Sequence, residues 1–209
     1  VITYRLVDEN HRAWHAGPSY WKGFSNLNAS SIGIEIVNAG PVTAADGSIR
    51  YSPFRPEQLD EVIALCKEIV ARHQIKPDRI IGHSDIAPGR KQDPGPLFPW
   101  KRLADEGLIA WPDTAMVAAK RPLYEFQLPD AKWFQDKLAD FGYNTSRSGE
   151  WDVLTQDSLI SFQMRYRPQK YDGRPDAEIA ALLDVATTEH GMVLTKPLVG
   201  TRQPYTARW

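Results

Sequence analysis

The sequence predicts an α/β domain with a mixed central sheet and flanking helices, followed by a small all-α three-helix bundle. An alternating apolar run and a long amphipathic segment predict the first domain, and three short helical patterns predict the second. We place the α/β domain at residues 1–113, a linker at 114–124 and the helical domain at 125–189. Residues 190–209 show no clear period, and they form a C-terminal tail of unknown role.

The run "SIGIEIVN" at residues 31–38 has the period of two that is typical of a β-strand. Its isoleucines lie on one predicted face, so Glu35 points away from them. "DRII" at residues 78–81 predicts a second, short buried strand, and the opening run "VITYRLV" is also strand-like. These segments would supply the central sheet.

Residues 56–72 are predicted to form an amphipathic helix that covers one face of this sheet. Pro56 suits a first helical position, and apolar residues then recur at spacings of three and four. They are Leu59, Val62, Ile63, Cys66, Ile69 and Val70. Cys66 is the single cysteine, which excludes an internal disulfide and favours buried packing over a reactive thiol.

The second half contains three shorter helical patterns. In "DAKWFQDKLADFGY" Asp130 is a predicted N-cap and Gly142 a predicted helix end. "TQDSLISFQMRY" repeats the pattern with Leu159, Phe162 and Tyr166, and "PDAEIAALLDVA" repeats it again with Ile179, Leu182 and Leu183. Three amphipathic helices of this length predict a small bundle.

Charge and hydropathy exclude two classes of partner. The chain of 209 residues carries 25 basic and 26 acidic side chains, without the basic excess that nucleic-acid binding requires. No apolar run approaches the roughly 18 residues of a membrane-spanning helix. Because the chain opens at Val1 inside a strand-like run, we expect the first strand of the domain to lie upstream of it.

The run "IIGHSDIAPGRKQDPGP" at residues 80–96 is a candidate metal-binding loop. Its prolines and glycines interrupt regular structure, so the loop fixes side chains at angles that helices and strands forbid. His83 and Asp93 are residue types that zinc prefers. On spacing alone the signal is weak, and it favours a histidine that satisfies loop backbone groups, beside a solvated Lys91, over a metal ligand.

Glu35 is the second unusual residue of the first domain. A carboxylate inside an otherwise apolar strand is costly to bury unless it is paired or functional. A charge at a sheet edge is the structural alternative.

Three runs give the first domain a family resemblance: "WHAG" at 14–17, "SIGIEIVN" at 31–38 and "GHSDIAPGRKQDPGPLFPW" at 82–100. They resemble the zinc-dependent type 2 family of N-acetylmuramoyl-L-alanine amidases, which is related to the peptidoglycan recognition proteins. The runs "WFQDKLADFGY", "GEWDVLTQDSLISFQ" and "YDGRPDAEIAALL" in turn resemble a three-helix peptidoglycan-binding module.

The resemblance implies a Zn²⁺ hydrolase that cleaves the amide between N-acetylmuramic acid and L-alanine of the peptidoglycan stem peptide. Peptidoglycan or its muropeptides would be the partner, and the location would be periplasmic or exported, in the bacterial envelope. An oligomer is compatible with this reading. A non-catalytic peptidoglycan-recognition protein and a zinc peptidase acting within the stem peptide are the alternatives. Retention of Glu35, Lys91 and Asp93 argues against the former.

The resemblance also implies roles for particular residues. His83 and Asp93 become zinc ligands, Glu35 the catalytic carboxylate, and Lys91 the cation beside the developing oxyanion. Asn38 and Arg90 would hold carboxylates or amides of the stem peptide, and Trp14 and His15 would wall the groove. The alternatives are surface solvation for Arg90 and simple packing for Trp14 and His15.

The third zinc ligand of the family is a histidine that ends the first strand, and we expect it upstream of Val1. His15 is the sole substitute that the chain itself offers. For the helical module the resemblance implies an anchoring role. We therefore expect removal of residues 122–209 to weaken retention on sacculi and to spare hydrolysis of soluble muropeptides.

Overall fold

A computed structural model describes residues 1–197 of the chain. The helices are α1 (Pro56–His73), α2 (His83–Ile86), α3 (Trp100–Asp105), α4 (Thr114–Phe126), α5 (Ala131–Phe141), α6 (Val153–Tyr166) and α7 (Ala177–Ala186). The strands are β1 (Tyr20–Trp21), β2 (Phe24–Ser25), β3 (Pro41–Thr43), β4 (Ile49–Tyr51), β5 (Trp111–Pro112) and β6 (Met192–Val193). None of the helices in this range is long and apolar enough to cross a bilayer.

The strands form three separate antiparallel pairs, β1–β2, β3–β4 and β5–β6. Tyr20 lies opposite Ser25 in the first pair, and Pro41 lies opposite Tyr51 in the second. The mixed α/β class predicted from sequence is confirmed. A central sheet, however, is not formed within residues 1–197.

The predicted strand at 31–38 was wrong, and so were those at 78–81 and at the chain start. Residues 31–38 make no β-ladder, and 78–81 begins inside a 3₁₀ turn, Pro77–Arg79. A strand needs a partner about 4.8 Å away to satisfy its backbone groups. Segments 30–36 and 79–83 instead line the same cavity and take part in none of the three strand pairs.

Helix α1 matches its prediction closely, running from Pro56 at its first turn to His73. Its apolar stripe is buried, and it packs with α3 and the following turn into one of two apolar clusters. That cluster contains Leu59, Val62, Ile63, Cys66, Val70, Phe98, Trp100, Leu103, Ala104, Leu108 and Ile109. Burial of Cys66 confirms that it is a packing residue.

Residues 114–124, predicted to be a linker, are helical. Those residues belong to α4, whose Pro122 lies inside the helix. Asp184 of α7 accepts hydrogen bonds from Lys120 and from Tyr124 of α4, the latter at 2.8 Å, and from Lys137 of α5 at 2.7 Å. One buried carboxylate thus joins three helices, and the expected spacer is a fourth member of the bundle.

Helices α4, α5, α6 and α7 each begin at an aspartate whose side chain accepts a hydrogen bond from a backbone N–H of the first turn. The caps are Asp113, Asp130, Asp152 and Asp176. This confirms Asp130 as a cap, and α5 ends at Gly142 as predicted. Capping oxygens satisfy amides that have no partner inside the helix, at typically ~1 kcal/mol each.

The described part of the predicted tail, residues 190–197, contains a strand that belongs to the fold. β6 pairs with β5 through Trp111 opposite Val193 and Pro112 opposite Met192. Thr195 then donates to the carbonyl of Ala104 in α3. The rest of the predicted tail, 198–209, lies outside the described residues.

The larger apolar cluster spans both halves of the chain. Trp21 packs edge-on against Phe141 at 5.8 Å and against Tyr143 at 5.2 Å between ring centroids. Ala16, Leu27, Ile86 and Ala87 from the first half share this cluster with Phe134, Leu138, Leu159, Phe162, Ile179 and Leu183 from the second. The helical half therefore supplies part of the core that the first half needs.

We predict that Phe162→Ala lowers the free energy of unfolding by about 3–5 kcal/mol, because Phe162 is 0% exposed and its removal leaves a cavity. Phe126→Ala is the matched control: Phe126 is 91% exposed, and we expect a change within about 0.5 kcal/mol. Urea unfolding monitored by circular dichroism measures both variants. Equal stabilities would contradict the assignment of the shared core.

Candidate active site

Helix α2 places the candidate metal residue at its first position. His83 opens this helix of four residues, and the Gly82 amide donates to Asp85 Oδ2 at 2.8 Å. The Ser84 amide donates to the carbonyl of Asp93 at 2.9 Å, which fastens the far side of the loop to the helix start. Two distant parts of the proline-rich loop are thereby held together.

The side chains of His83 and Asp93 converge. His83 Nδ1 lies 3.0 Å from Asp93 Oδ2, and Nε2 lies 3.1 Å from the carbonyl oxygen of Ala16. Two donors about 2.0–2.1 Å from one tetrahedral zinc ion stand roughly 3.3 Å apart, so the observed separation suits a shared metal. The His83 side chain is 17% exposed and that of Asp93 is 60% exposed, which leaves the pair open to solvent on one side.

Beside this pair lies a cavity of about 770 Å³. His83 and Asp93 line it, together with Glu35, Asn38 and His15. The remaining wall is largely apolar and comes from α1, from segment 30–36 and from the turn before α2. A concave apolar site with a few converging polar groups is typical of ligand pockets.

Asn38 and His15 are held by hydrogen bonds to the backbone. The Asn38 amide nitrogen donates to the Ser52 carbonyl at 3.1 Å, and its oxygen accepts from the Gly40 amide at 2.8 Å. His15 Nε2 lies 3.3 Å from the Ser31 carbonyl. A Cβ at Gly33 would stand 2.7 Å from the His15 ring, so a glycine is needed where the ring meets this segment.

Three predicted site residues, Trp14, Arg90 and Lys91, are not among the described residues that line the cavity. Trp14 is 78% exposed and carries the Arg12 guanidinium 3.9 Å above its ring. Arg90 Nη2 donates to the Ala16 carbonyl at 2.8 Å and to that of Pro18 at 2.7 Å. Arg90 thus joins the "WHAG" segment to the loop of His83.

His83 and Asp93 are the two candidate metal donors that converge at this site. No group of three or more His, Cys, Asp or Glu side chains in the described part of the chain is arranged to hold a metal ion. The donor types and their separation fit zinc, and a complete catalytic zinc site requires about one further protein ligand. His15 does not join His83 and Asp93 in such a group.

A buried ionic network behind α2 was missed by the sequence reasoning. Asp85 is 1% exposed and accepts from Arg165 Nη1 at 3.0 Å and from the Tyr143 hydroxyl at 2.7 Å. Burial, reinforced by the Asp85 carboxylate, raises the pKa of Tyr143 well above its usual range, so the phenol stays a donor. In the sequence, Asp85 resembles a helix-start signal because it stands three positions after Gly82. Nothing in the sequence pairs it with Arg165.

Arg165 is buried; its Nη1 and Nη2 are hydrogen-bonded, while its Nε has no hydrogen-bond partner among the described residues. Its guanidinium stacks over the Trp100 ring at 4.1 Å from the centroid. Burial opposes the charged form, but the neighbouring Tyr166 and Asp85 raise the pKa of Arg165 above its usual value. Arg165 therefore carries its positive charge at neutral pH.

The sequence matches two family profiles in positions that agree with this architecture. Residues 2–96 match the profile described as N-acetylmuramoyl-L-alanine amidase, and residues 127–183 match a peptidoglycan binding domain. A segment that matches the amidases is thus followed by one that matches a peptidoglycan binding domain, a combination typical of peptidoglycan-directed hydrolases. The chain is 40% identical over 195 residues to the N-acetylmuramoyl-L-alanine amidase AmiD of Escherichia coli, covering 90% of this chain and 68% of that protein. It belongs to the N-acetylmuramoyl-L-alanine amidase family.

Other relatives and solved structures agree. The 1,6-anhydro-N-acetylmuramyl-L-alanine amidase AmpD of Enterobacter cloacae is 40% identical over 103 residues, 49% of each chain. The structure of Escherichia coli AmiD in complex with anhydro-N-acetylmuramic acid-L-Ala-D-γ-Glu-L-Lys is similar with a TM-score of 0.79, covering 87% of this chain and 70% of that one. AmpDh3 of Pseudomonas aeruginosa with an anhydromuramic pentapeptide gives 0.79 at 40% identity, covering 87% and 71%.

Cys66 lies in the cavity wall, and burial raises its pKa to about 11. We predict that iodoacetamide at pH 8 modifies the native protein at least about 100-fold more slowly than the urea-unfolded chain, because the reactive thiolate is scarce in the folded state. A thiol pKa that is higher in the folded chain also makes stability fall as the pH rises from about 8.5 through 11. Cys66→Ala should remove that slope. Equal alkylation rates in the folded and unfolded chains would contradict the burial.

Proposed function

We propose that this amidase cleaves the amide between the lactyl group of N-acetylmuramic acid and L-alanine of the stem peptide with His83, Asp93, Glu35 and Lys91 as its working residues. The convergence of His83 and Asp93 at 3.0 Å, beside a cavity that Glu35 also lines, is the observation that carries the proposal. Family membership supports the reaction, and the cavity supports a substrate of muropeptide size.

We infer that the cofactor is Zn²⁺ and that His83 and Asp93 are two of its ligands. When bound, zinc supplies a positive charge that polarises an amide carbonyl and acidifies water. His83 would bind the ion through Nδ1. Its Nε2 faces the Ala16 carbonyl, an acceptor that fixes the ring orientation. The described residues do not bring a third protein ligand to this point.

Glu35 is proposed as the general acid and base. Its carboxylate accepts a proton from the attacking water and returns it to the amide nitrogen as the C–N bond breaks. The carbon gains the water oxygen, so the products are a lactyl carboxylic acid and a free L-alanine amine. Lys91 stands two residues before Asp93 on a long flexible stem, and its ammonium is proposed to stabilise the oxyanion of the tetrahedral intermediate.

Action of the enzyme at the cell envelope follows from its relatives, and we propose the periplasm or the outside of the cell as its location. The helical half, which matches the peptidoglycan binding domain, is proposed to contact the wall polymer. Trp14, His15, Asn38 and Arg90 remain proposed substrate contacts. Among these, His15 and Asn38 already line the cavity.

We predict that Glu35→Gln lowers kcat on a soluble muropeptide by about 100-fold or more, because the amide cannot move the proton. Lys91→Ala should lower it by a similar factor, about 100-fold, through loss of oxyanion stabilisation. Glu57→Gln and Lys132→Ala, both at exposed helical positions, are the matched controls and should keep wild-type rates. Wild-type turnover in Glu35→Gln or Lys91→Ala would contradict that residue's role.

We predict that His83→Ala and Asp93→Ala each weaken zinc binding by about 10-fold or more, since a direct ligand matters at least as much as its supporting groups. Competition with a chromophoric chelator measures the affinity without requiring activity. His190→Ala, whose side chain is 69% exposed, serves as the control. An unchanged zinc affinity in either site variant would remove that residue from the ligand set.

Mass spectrometry of the products tests the reaction itself. An amidase releases an intact stem peptide with a free L-alanine amine and a muramic sugar with a free lactyl carboxylate. A zinc peptidase would leave L-alanine on the sugar, and a pure recognition protein would release nothing. Either of these results would overturn the proposed reaction.

A further inference from the structure

Helix α6 of the helical half runs along the segment that carries His83. Arg165 Nη2 donates to the Ile80 carbonyl at 3.0 Å, and Nη1 donates to Asp85 Oδ2 at 3.0 Å. Ser161 Oγ donates to the Ser84 carbonyl at 2.9 Å. These acceptors lie on both sides of His83, and each is held by a side chain of the same helix.

The segment cannot hold this shape by itself. Helix α2 has four residues, far fewer than the roughly 12 that an isolated helix needs in water. Its internal support is limited to bonds such as Asp85 N–H to the Gly82 carbonyl at 3.1 Å and Ala87 N–H to the His83 carbonyl at 3.1 Å. The orientation of His83 therefore depends on contacts from outside the segment.

The contact with α6 is close and buried. Ser161 is 2% exposed and Arg165 is 6% exposed. At Gly89, where φ is +76°, a Cβ would stand 2.1 Å from Asp157 Oδ2, so the loop approaches α6 more closely than any side chain permits. The helical half contacts the loop along at least two turns of α6.

We propose that the helical half is a structural part of the amidase site, with Ser161 and Arg165 as positioning residues that hold His83 toward Asp93. This inference rests on the proposed function of His83. The helical half, which matches a peptidoglycan binding domain, thereby has a second role. Turnover of a small soluble substrate also depends on this half. A separable anchor would have no such effect.

Ser161→Ala tests the proposal, and Ser158→Ala is its matched control. Both serines are buried in α6, and both donate to a carbonyl one turn earlier, Ser161 to Asp157 at 3.1 Å and Ser158 to Leu154 at 2.8 Å. The difference between them is the additional bond from Ser161 to Ser84. Truncation is avoided because it would strip the shared core.

Three readouts are compared in the full chain: zinc affinity by chelator competition, kcat and KM on a soluble muropeptide, and amide hydrogen exchange of residues 82–87. In Ser161→Ala we expect zinc affinity or kcat to fall about 10-fold, with KM nearly unchanged, as for other residues that orient a metal ligand. Exchange at 82–87 should accelerate in the same variant. Ser158→Ala should match the wild type in all three.

Arg165→Lys extends the test, because lysine keeps the charge but cannot donate to Asp85 and to Ile80 with the fixed fork of a guanidinium. It should show the same defects as Ser161→Ala, and more strongly. Equal behaviour of Ser161→Ala and Ser158→Ala, whether both are normal or both impaired, would overturn the proposal. If the wild type released no product, the proposed function would fail, while zinc affinity and hydrogen exchange would still decide whether α6 positions His83.

Discussion

The buried pair of Arg165 and Asp85 is the interaction on which the rest of the structure depends. Burying an isolated charge is very costly, so each partner requires the other, and removal of one leaves an uncompensated charge in the interior. The Tyr143 hydroxyl and the Gly82 amide also donate hydrogen bonds to the Asp85 carboxylate. The pair thus joins α2 of the first half to α6 of the second in the protein interior.

The two apolar clusters around this pair stabilise different parts of the protein. One lies under α1 and α3 and forms the back of the cavity, while the other joins the four helices to the β1–β2 hairpin. The cavity therefore has an apolar wall on one side and polar side chains on the other. Charges inside such a site interact more strongly than in water, which suits a reaction that develops an oxyanion.

Local patterns in the sequence were enough to predict four helices, α1, α5, α6 and α7. The period of α1, the Asp130 cap and the Gly142 end all depend on residues a few positions apart, and the structure has them as expected. Strands were harder, because alternation in 31–38 indicates which side chains share a face but says nothing of a partner. The α4 helix was missed because Pro122 and the nearby Pro112 suggested an extended chain.

The candidate site was predictable only in part, for the same reason. The spacing of His83 and Asp93 within one loop suggested a site, and its glycines and prolines suggested a fixed shape. The support from Arg165 was not visible, since it lies 80 residues from Asp85 and resembles any other basic residue of an amphipathic helix. Buried polar networks between distant segments leave no local pattern.

The pairing of β5 with β6 has a consequence for how this architecture can change over time. Trp111 and Val193 are neighbours in a ladder, so the chain enters and leaves the four-helix half at almost the same point. A unit whose ends meet can gain or lose loops without displacing the chain on either side, since closing a longer loop costs only about 0.6 kcal/mol per doubling of its length. Sequence variation can therefore accumulate in the loops between α4 and α7, while α6 keeps its place against the loop that carries His83.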